Sequence, residues 1–179
     1  MLRFTSVVDA AAGPPPAGAP RLRLTWDQRV RSRLATMTYD GTAVAIALPR
    51  GTVLRDGAVL AGEDGALAVV EAAPQPLTRI TADEPLLLLR AVYHLANRHV
   101  PAHIEGGVVL IERDPVLERM AVSLGVRVEH VVQPFEPESG AYHEGGHAHG
   151  VEPDDPVRNL GEELSIAAHR KRGSGEVPR

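Results

Sequence analysis

The sequence contains no cysteine and very few aromatic residues. The absence of cysteine from its 179 residues excludes disulfide bridges and thiolate metal ligands. Aromatic residues make up only 3% against 44% hydrophobic residues, so a folded core must consist mostly of Val, Leu and Ala. No stretch approaches the roughly 18 uncharged apolar residues of a transmembrane helix. The length suits one ordinary domain or two small ones.

Other absences narrow the class of protein. Residues 1–20 have no apolar h-region, so they do not resemble a secretory signal peptide. The formal net charge of −4 argues against a nucleic-acid binder. The chain lacks a Gly-rich phosphate loop, a His-Glu-x-x-His motif and a Gly-x-Ser-x-Gly motif, so no enzyme class is indicated. We expect a cytoplasmic protein that binds neither nucleic acid nor membranes and is not an enzyme.

The first part of the chain has the signals of β-structure. Apolar and polar residues alternate on both sides of Asp40-Gly41, a pair typical of hairpin turns. Further turn signals follow at Gly51, Gly57 and Gly65, with short segments between them. Residues 1–74 are therefore predicted to form a small all-β domain.

Charged residues in two places allow a functional interpretation. Arg29, Arg31 and Arg33 form a basic patch on this first domain. The patch is either a solvated strand edge or a docking surface for an acidic partner. Glu136 and Glu138 would point the same way from an extended chain, although paired acids in a Pro-rich linker are usually solvated.

After residues 73–76, which read Ala-Pro-Gln-Pro, strands alternate with helices. Residues 77–81 are predicted to form a strand. Two acids and then Pro85 mark the start of a helix that we expect to run to about Arg98.

Two short strands, a second helix with Asp114 as its N-cap and a last strand at 126–132 complete the order β-α-β-β-α-β. Residues 75–137 are therefore predicted to form a ferredoxin-like domain, and residues 138–179 a flexible tail that contains histidines. The predicted fold class is α+β, with the all-β domain first.

His99 is the first candidate metal ligand. In helical phase it continues the apolar stripe of Leu88, Val92 and Leu95, so it is either a core residue or a ligand at the rim of a contact surface. In a two-fold dimer a residue near the axis faces its own copy, so one His99 per chain would become a pair. The residues alone leave both interpretations of His99 open.

His143, His147 and His149 lie within seven residues and are the other candidate ligands. Imidazoles suit Ni, Cu and Zn, and the glycines between these residues let the ligands converge. The alternative is a polar tail that binds metal only adventitiously. Together with His99 they would form a labile site that competes with protons near pH ~6.5.

The remaining histidines are less suited to the site. His94 is predicted to be structural or to face a partner. His103 is a rim ligand or a surface residue, and His130 packs in the core or on the sheet face. His169 lies among basic residues, which disfavours a cation.

Several motifs together resemble the urease accessory protein E family, the nickel metallochaperones of urease assembly. Tyr93–Pro101 is similar to the family's signature, and Leu48–Leu54 matches a second motif. Pro134–Glu138, followed by Gly140-Ala141-Tyr142 and a His-containing tail, completes the resemblance. The similarity covers about residues 21–149 in the family's order.

The resemblance implies a partner-binding β-rich domain and a ferredoxin-like domain that forms a homodimer. Together with the dimer argument, it leads us to expect that the apolar stripe of the first helix leads into a subunit contact. It implies that His99 of both subunits binds Ni²⁺ at the interface, with His143, His147 and His149 as mobile ligands, and Zn²⁺ can occupy the same site. The implied partners are other urease accessory proteins, including the nickel-insertion GTPase, and the urease apoprotein.

Two departures from the family concern metal capacity. Arg113 and Pro115 stand where some members carry additional histidines, so we predict no peripheral site there. Only three clustered histidines replace the long polyhistidine tail of some members, which predicts a low capacity.

Two other functions were considered. One is a ferredoxin-like module that binds nucleic acid or regulates a protein, with incidental histidines; the acidic charge and the lack of strand aromatics argue against it. The other is a small metallohydrolase, for which no general base accompanies the histidines.

Overall fold

The computed structural model describes residues 1–8 and 17–139. Within these ranges it contains eleven strands and three helices, so the predicted mixed α+β class is confirmed, with sheet predominating. No helix in the described ranges is long and apolar enough to span a membrane. The predicted tail lies outside the described residues except at its start.

The strands before residue 73 form two small sheets. The elements are β1 (Leu2–Phe4), β2 (Ser6–Val7), β3 (Arg21–Leu24), α1 (Trp26–Arg29), β4 (Arg33–Met37), β5 (Ala43–Ala47), β6 (Val59–Ala61) and β7 (Leu67–Ala72). One sheet has the strand order β1-β5-β4 and the other β2-β6-β7-β3. β1 pairs with β5 and β3 with β7 in parallel, and the other neighbours are antiparallel. The predicted hairpin is therefore present as β4 and β5.

Alternation along these strands places their apolar residues in one core. β3 buries Leu22 and Leu24 and exposes the two arginines between and before them, and β5 buries Val44 and Ile46. Residues from both sheets join the same cluster, which also contains Phe4. The two sheets thus share a core without any large aromatic cluster.

One helical turn, α1, interrupts the strands that we predicted as all-β. Thr25 and Gln28 form a capping box, in which the Gln28 side chain accepts a hydrogen bond from the Thr25 backbone N–H at 2.9 Å. A helix this short shows no apolar periodicity, so the alternation pattern cannot reveal it.

The second half has the order β-α-β-β-α-β. Its elements are β8 (Gln75–Thr81), α2 (Pro85–Ala96), β9 (His103–Glu105), β10 (Val108–Glu112), α3 (Pro115–Ser123) and β11 (Arg127–Gln133). The antiparallel sheet has the strand order β11-β8-β10-β9. As predicted, the Asp114 side chain caps α3 by accepting from the N–H groups of Val116 and Leu117 at 2.7 and 3.1 Å.

Both helices pack on one face of this sheet. Ala91 and Leu95 of α2 and Ala121 of α3 join Ile80 and Val109 of the strands in a single core. The other face is left for contacts with the first half of the chain.

Phe135 connects the two halves on that other face. It is fully buried with Leu77 and Leu110, and its ring meets the ring of Trp26 edge to face at 6.1 Å. Residues 1–138 form one compact unit. The predicted division into 1–74, 75–137 and 138–179 stays a prediction.

Phe135→Ala is expected to lower the free energy of unfolding by about 3–5 kcal/mol, because it leaves a cavity where the halves meet. Val132→Ala, at a neighbouring position whose side chain is 70% exposed, should change it by less than about 0.5 kcal/mol. Urea denaturation measures both values. Equal losses in the two variants would contradict the role of Phe135.

Candidate functional site

His99 lies beyond the end of α2 in a left-handed backbone conformation. Its φ is 55°, and it is the only non-glycine residue of the described chain with a positive φ. The helix ends at Ala96, earlier than the predicted end near Arg98, and a turn follows. The expectation that His99 continues the apolar stripe is therefore wrong, because a left-handed residue turns the chain out of helical phase.

Two hydrogen bonds fix this turn as a Schellman motif. The His99 N–H donates to the carbonyl of Ala96 at 2.9 Å, and the Val100 N–H donates to that of Leu95 at 3.2 Å. Leu95 lies in the core of the second half and Val100 packs against it, an apolar contact that often accompanies this motif. The backbone of His99 is thus fixed on both sides, while the residue itself is exposed.

The other predicted ligands lie outside the described residues. His143, His147 and His149 are all in the part of the chain beyond residue 139. Within residues 1–8 and 17–139, no group of three or more His, Asp or Glu side chains is arranged to hold a metal ion. The four-histidine site stays a prediction.

The segment Pro134–Glu138, here called the strap, leads from β11 towards the tail. The N–H of Glu138 donates to the carbonyl of Ala102 at 2.8 Å. The N–H of Glu136 approaches Nδ1 of His103 at 3.4 Å. The strap therefore delivers the chain to a point beside Ala102, three residues after His99.

Arg29 holds the strap from the first half of the chain. Its side chain is completely buried and ion-paired with Glu136. It also donates to the carbonyl of Leu54 at 3.1 Å and to the carbonyl of Phe135. Burial lowers the pKa of Arg29 from its ordinary value, and the Glu136 carboxylate opposes this shift.

Arg55 adds a second cation to the strap. It donates to the carbonyl of Pro137 at 2.6 Å and lies 3.5 Å from the Glu136 carboxylate. Two sequence-based interpretations are therefore corrected. Arg29 is not part of a surface patch, and Glu136 is not a solvated linker acid.

Each remaining histidine of the described chain has a neighbour of its own. His94 is half-buried, and its ring lies 5.5 Å from that of Tyr93. His103 is 20% exposed, and its Nε2 lies 3.6 Å from Glu105. Because Nδ1 of His103 accepts a hydrogen bond from the Glu136 N–H, the proton of the neutral ring is on Nε2. Neither ring nitrogen then has a free lone pair for a metal ion.

His130 lies on the helix-covered face of the sheet, but it is 49% exposed, so a core position is wrong. Its Nε2 is 3.1 Å from the carboxylate of Glu118 on α3. The Thr78 hydroxyl donates to the same carboxylate at 2.6 Å and lowers the pKa of Glu118. These contacts give His130 a structural partner.

The outer face of α2 carries large apolar side chains that the sequence analysis missed. Leu86, Leu89 and Tyr93 are 53%, 65% and 64% exposed and follow one another at helical spacing. The stripe of Leu88, Val92 and Leu95 instead packs on the sheet beneath. The stripe therefore packs within the chain, and the subunit contact expected from it stays a prediction. Four consecutive leucines were the available signal, because such a run cannot fit on one helix face.

Comparison with known proteins extends over both halves. The model of the UreE urease accessory protein C-terminal domain matches residues 75–169, and that of the N-terminal domain matches residues 4–73. The chain belongs to the UreE urease accessory protein family. The resemblance seen in Tyr93–Pro101 is thereby confirmed, and the C-terminal match includes His99.

Individual relatives agree with the family match. Over 132 residues the chain is 54% identical to urease accessory protein UreE of Ralstonia nicotianae, which covers 74% of this chain and 62% of that protein. Over 134 residues it is 52% identical to UreE of Burkholderia lata, which covers 75% of this chain and 64% of the relative. The match thus spans less than two thirds of these relatives.

The left-handed backbone of His99 predicts different effects of two substitutions on the free energy of unfolding. Asparagine tolerates this conformation, so His99→Asn should leave the free energy of unfolding unchanged or raise it by up to about 1 kcal/mol. Valine does not, so His99→Val should lower it by about 1–2 kcal/mol. Chemical denaturation distinguishes the two. Equal stability of both variants would contradict a strained His99.

Proposed function

We propose that the chain is a nickel-binding chaperone, not an enzyme, that delivers Ni²⁺ to apo-urease in the cytoplasm. Family membership supports a role in urease maturation. The observation that carries the nickel proposal is His99, an exposed imidazole on a backbone fixed by the Schellman turn. A ligand that is held in place but open to solvent can take up an ion and release it again.

A homodimer gives His99 a second imidazole. Leu86, Leu89 and Tyr93 expose an apolar stripe on the helix that ends just before His99. Exposed apolar stripes of this kind mark interaction surfaces, and an isologous contact brings each residue near the axis to its own copy. A second copy of the chain on this face would pair the two His99 residues around one Ni²⁺.

The strap brings the tail within reach of the same point. The N–H of Glu138 is hydrogen-bonded to the carbonyl of Ala102 at 2.8 Å. His143 follows Glu138 by five residues. Such a segment spans at most about 18 Å, while three residues from Ala102 to His99 span at most about 11 Å. Chain length therefore allows His143, and the later His147 and His149, to ligate the ion at His99.

Imidazole ligands fit the task of a carrier. They accept both Ni²⁺ and Zn²⁺ and lose them to protons as the pH falls, so the ion stays exchangeable. The proposed recipients are the nickel-insertion GTPase, the other urease accessory proteins and, through them, the urease apoprotein. Arg113 and Pro115, at the start of α3, stand where some family members carry additional histidines, so we propose no second site there. The proposed capacity is therefore one ion per dimer.

Nickel titration by calorimetry tests the site. The full chain should bind one Ni²⁺ per dimer, and His99→Ala should nearly abolish binding because both central ligands are lost together. A chain truncated after Tyr142 should bind more weakly, and His130→Ala should bind as the unchanged chain does. Unchanged affinity in His99→Ala would refute the interface site.

Analytical ultracentrifugation without metal tests the dimer. Placing a charge in the apolar contact with Leu89→Arg should dissociate it into monomers, because a buried unpaired charge costs several kcal/mol. Val122→Arg is the matched control, since Val122 of α3 is 58% exposed and lies outside the stripe. A dimer that survives Leu89→Arg, or dissociates equally with Val122→Arg, would contradict the proposed face.

A further inference from the structure

Two arginines of the first half of the chain bind three consecutive residues of the strap. Arg29 donates to the carbonyl of Phe135 and to the carboxylate of Glu136. Arg55 donates to the carbonyl of Pro137 at 2.6 Å and lies 3.5 Å from the same carboxylate. Each of these strap residues thus gives an acceptor to a cation of the first half.

The two arginines lie side by side because their segments are bonded to each other. The N–H of Leu54 donates to the carbonyl of Arg29 at 3.0 Å, and the Arg29 side chain donates to the carbonyl of Leu54 at 3.1 Å. The guanidinium groups of Arg29 and Arg55 lie 5.2 and 5.6 Å from the centre of the Trp26 ring. Burial lowers the pKa of Arg29 and the neighbouring Arg55 also lowers it, whereas Glu136 raises it. Two cations at one place therefore need the carboxylate that the strap supplies.

Two N–H groups of the strap bond to the second half of the chain. The N–H of Glu138 donates to the carbonyl of Ala102 at 2.8 Å, and that of Glu136 donates to Nδ1 of His103 at 3.4 Å. Ala102 and His103 follow His99 by three and four residues. The strap therefore joins the two arginines of the first half to the segment that follows the proposed nickel ligand.

We infer that Arg29 and Arg55 are positioning residues of the proposed nickel site. They act through the strap, because they fix it beside Ala102 and so shorten the free chain that precedes the tail histidines. The inference rests on the proposed function and adds to it a determinant of nickel affinity in the other half of the chain.

The length of the free chain gives the size of the effect. His143 follows Glu138 by five residues and Phe135 by eight. Phe135 is buried with Leu77 and Leu110, so it stays in place when the arginines are removed, and the last fixed residue moves from Glu138 to Phe135. The effective concentration of a tethered ligand falls with about the −3/2 power of tether length. The loss is about twofold for each tail, and about fourfold when the tails of both subunits ligate one ion.

Nickel titration of the full-length double variant Arg29→Met/Arg55→Met by calorimetry tests the inference. Methionine is long, flexible and apolar, so it fills the space of each arginine while it removes the donors. The Kd for Ni²⁺ should rise about fourfold. Arg31→Met is the matched control, because the Arg31 side chain is 55% exposed and pairs with Asp27 at 2.5 Å instead of the strap. This control should leave the Kd unchanged.

A second set of variants separates positioning from a general loss of structure. In a full-length chain that carries His143→Ala, His147→Ala and His149→Ala, only the His99 pair remains. The two arginine substitutions should therefore not raise the Kd any further there. Amide hydrogen exchange gives a readout without nickel, because the Glu138 N–H should exchange faster in the double variant.

Arg55→Met alone serves where the double variant does not fold. It keeps the buried pair of Arg29 and Glu136, so the last fixed residue moves only to Glu136. The Kd should then rise about two- to threefold.

Two results would overturn the inference. One is an unchanged Kd in the folded arginine variants, although the chain without tail histidines binds nickel more weakly. The other is a rise of the same size with and without the tail histidines. Equal affinity of the unchanged chain and the chain without tail histidines would instead refute the proposed tail ligands, and the inference with them.

Discussion

The buried guanidinium of Arg29 is the interaction on which the arrangement of the two halves depends. Burial of an unpaired charge costs several kcal/mol, so a fully buried arginine is tolerated only when partners surround it. Here the Glu136 carboxylate and two backbone carbonyls accept hydrogen bonds from it, and its guanidinium lies 5.2 Å from the Trp26 ring centre. Only its Nε lacks a partner. Because the carboxylate and one carbonyl belong to the strap, the arginine and the strap must be ordered together.

This constraint extends from the first half of the chain to the neighbourhood of His99. Arg29 holds Glu136, and two residues further on the N–H of Glu138 donates a hydrogen bond to the carbonyl of Ala102. Phe135 fills the contact beneath the same segment. The buried charge of Arg29 in the first half therefore helps to position the end of the strap beside Ala102. The surroundings of the candidate ligand His99 thus depend on contacts whose partners lie about a hundred residues apart in sequence, as Arg29 and Glu136 do.

Signals confined to a few residues were sufficient to predict most elements. The Asp40-Gly41 turn and the cap at Asp114 are where their local chemistry indicated. Arg29 could not be found in this way, because its sequence neighbours are basic and its partners are distant. The exposed stripe of Leu89 and Tyr93 was missed for another reason. Helical phase shows which face is most apolar, but it does not show that the opposite face is apolar as well.

His99 illustrates a conflict between local preference and the residue present. A C-terminal turn of this type favours glycine or asparagine, and another residue in the left-handed conformation costs about 1 kcal/mol or more. The histidine is exposed, so burial does not compensate for this cost within the described chain. Strain without a packing gain is typical of residues retained for binding. In the proposed function, the bound ion supplies the missing compensation, and the fixed backbone reduces the entropy lost when the imidazole ligates it.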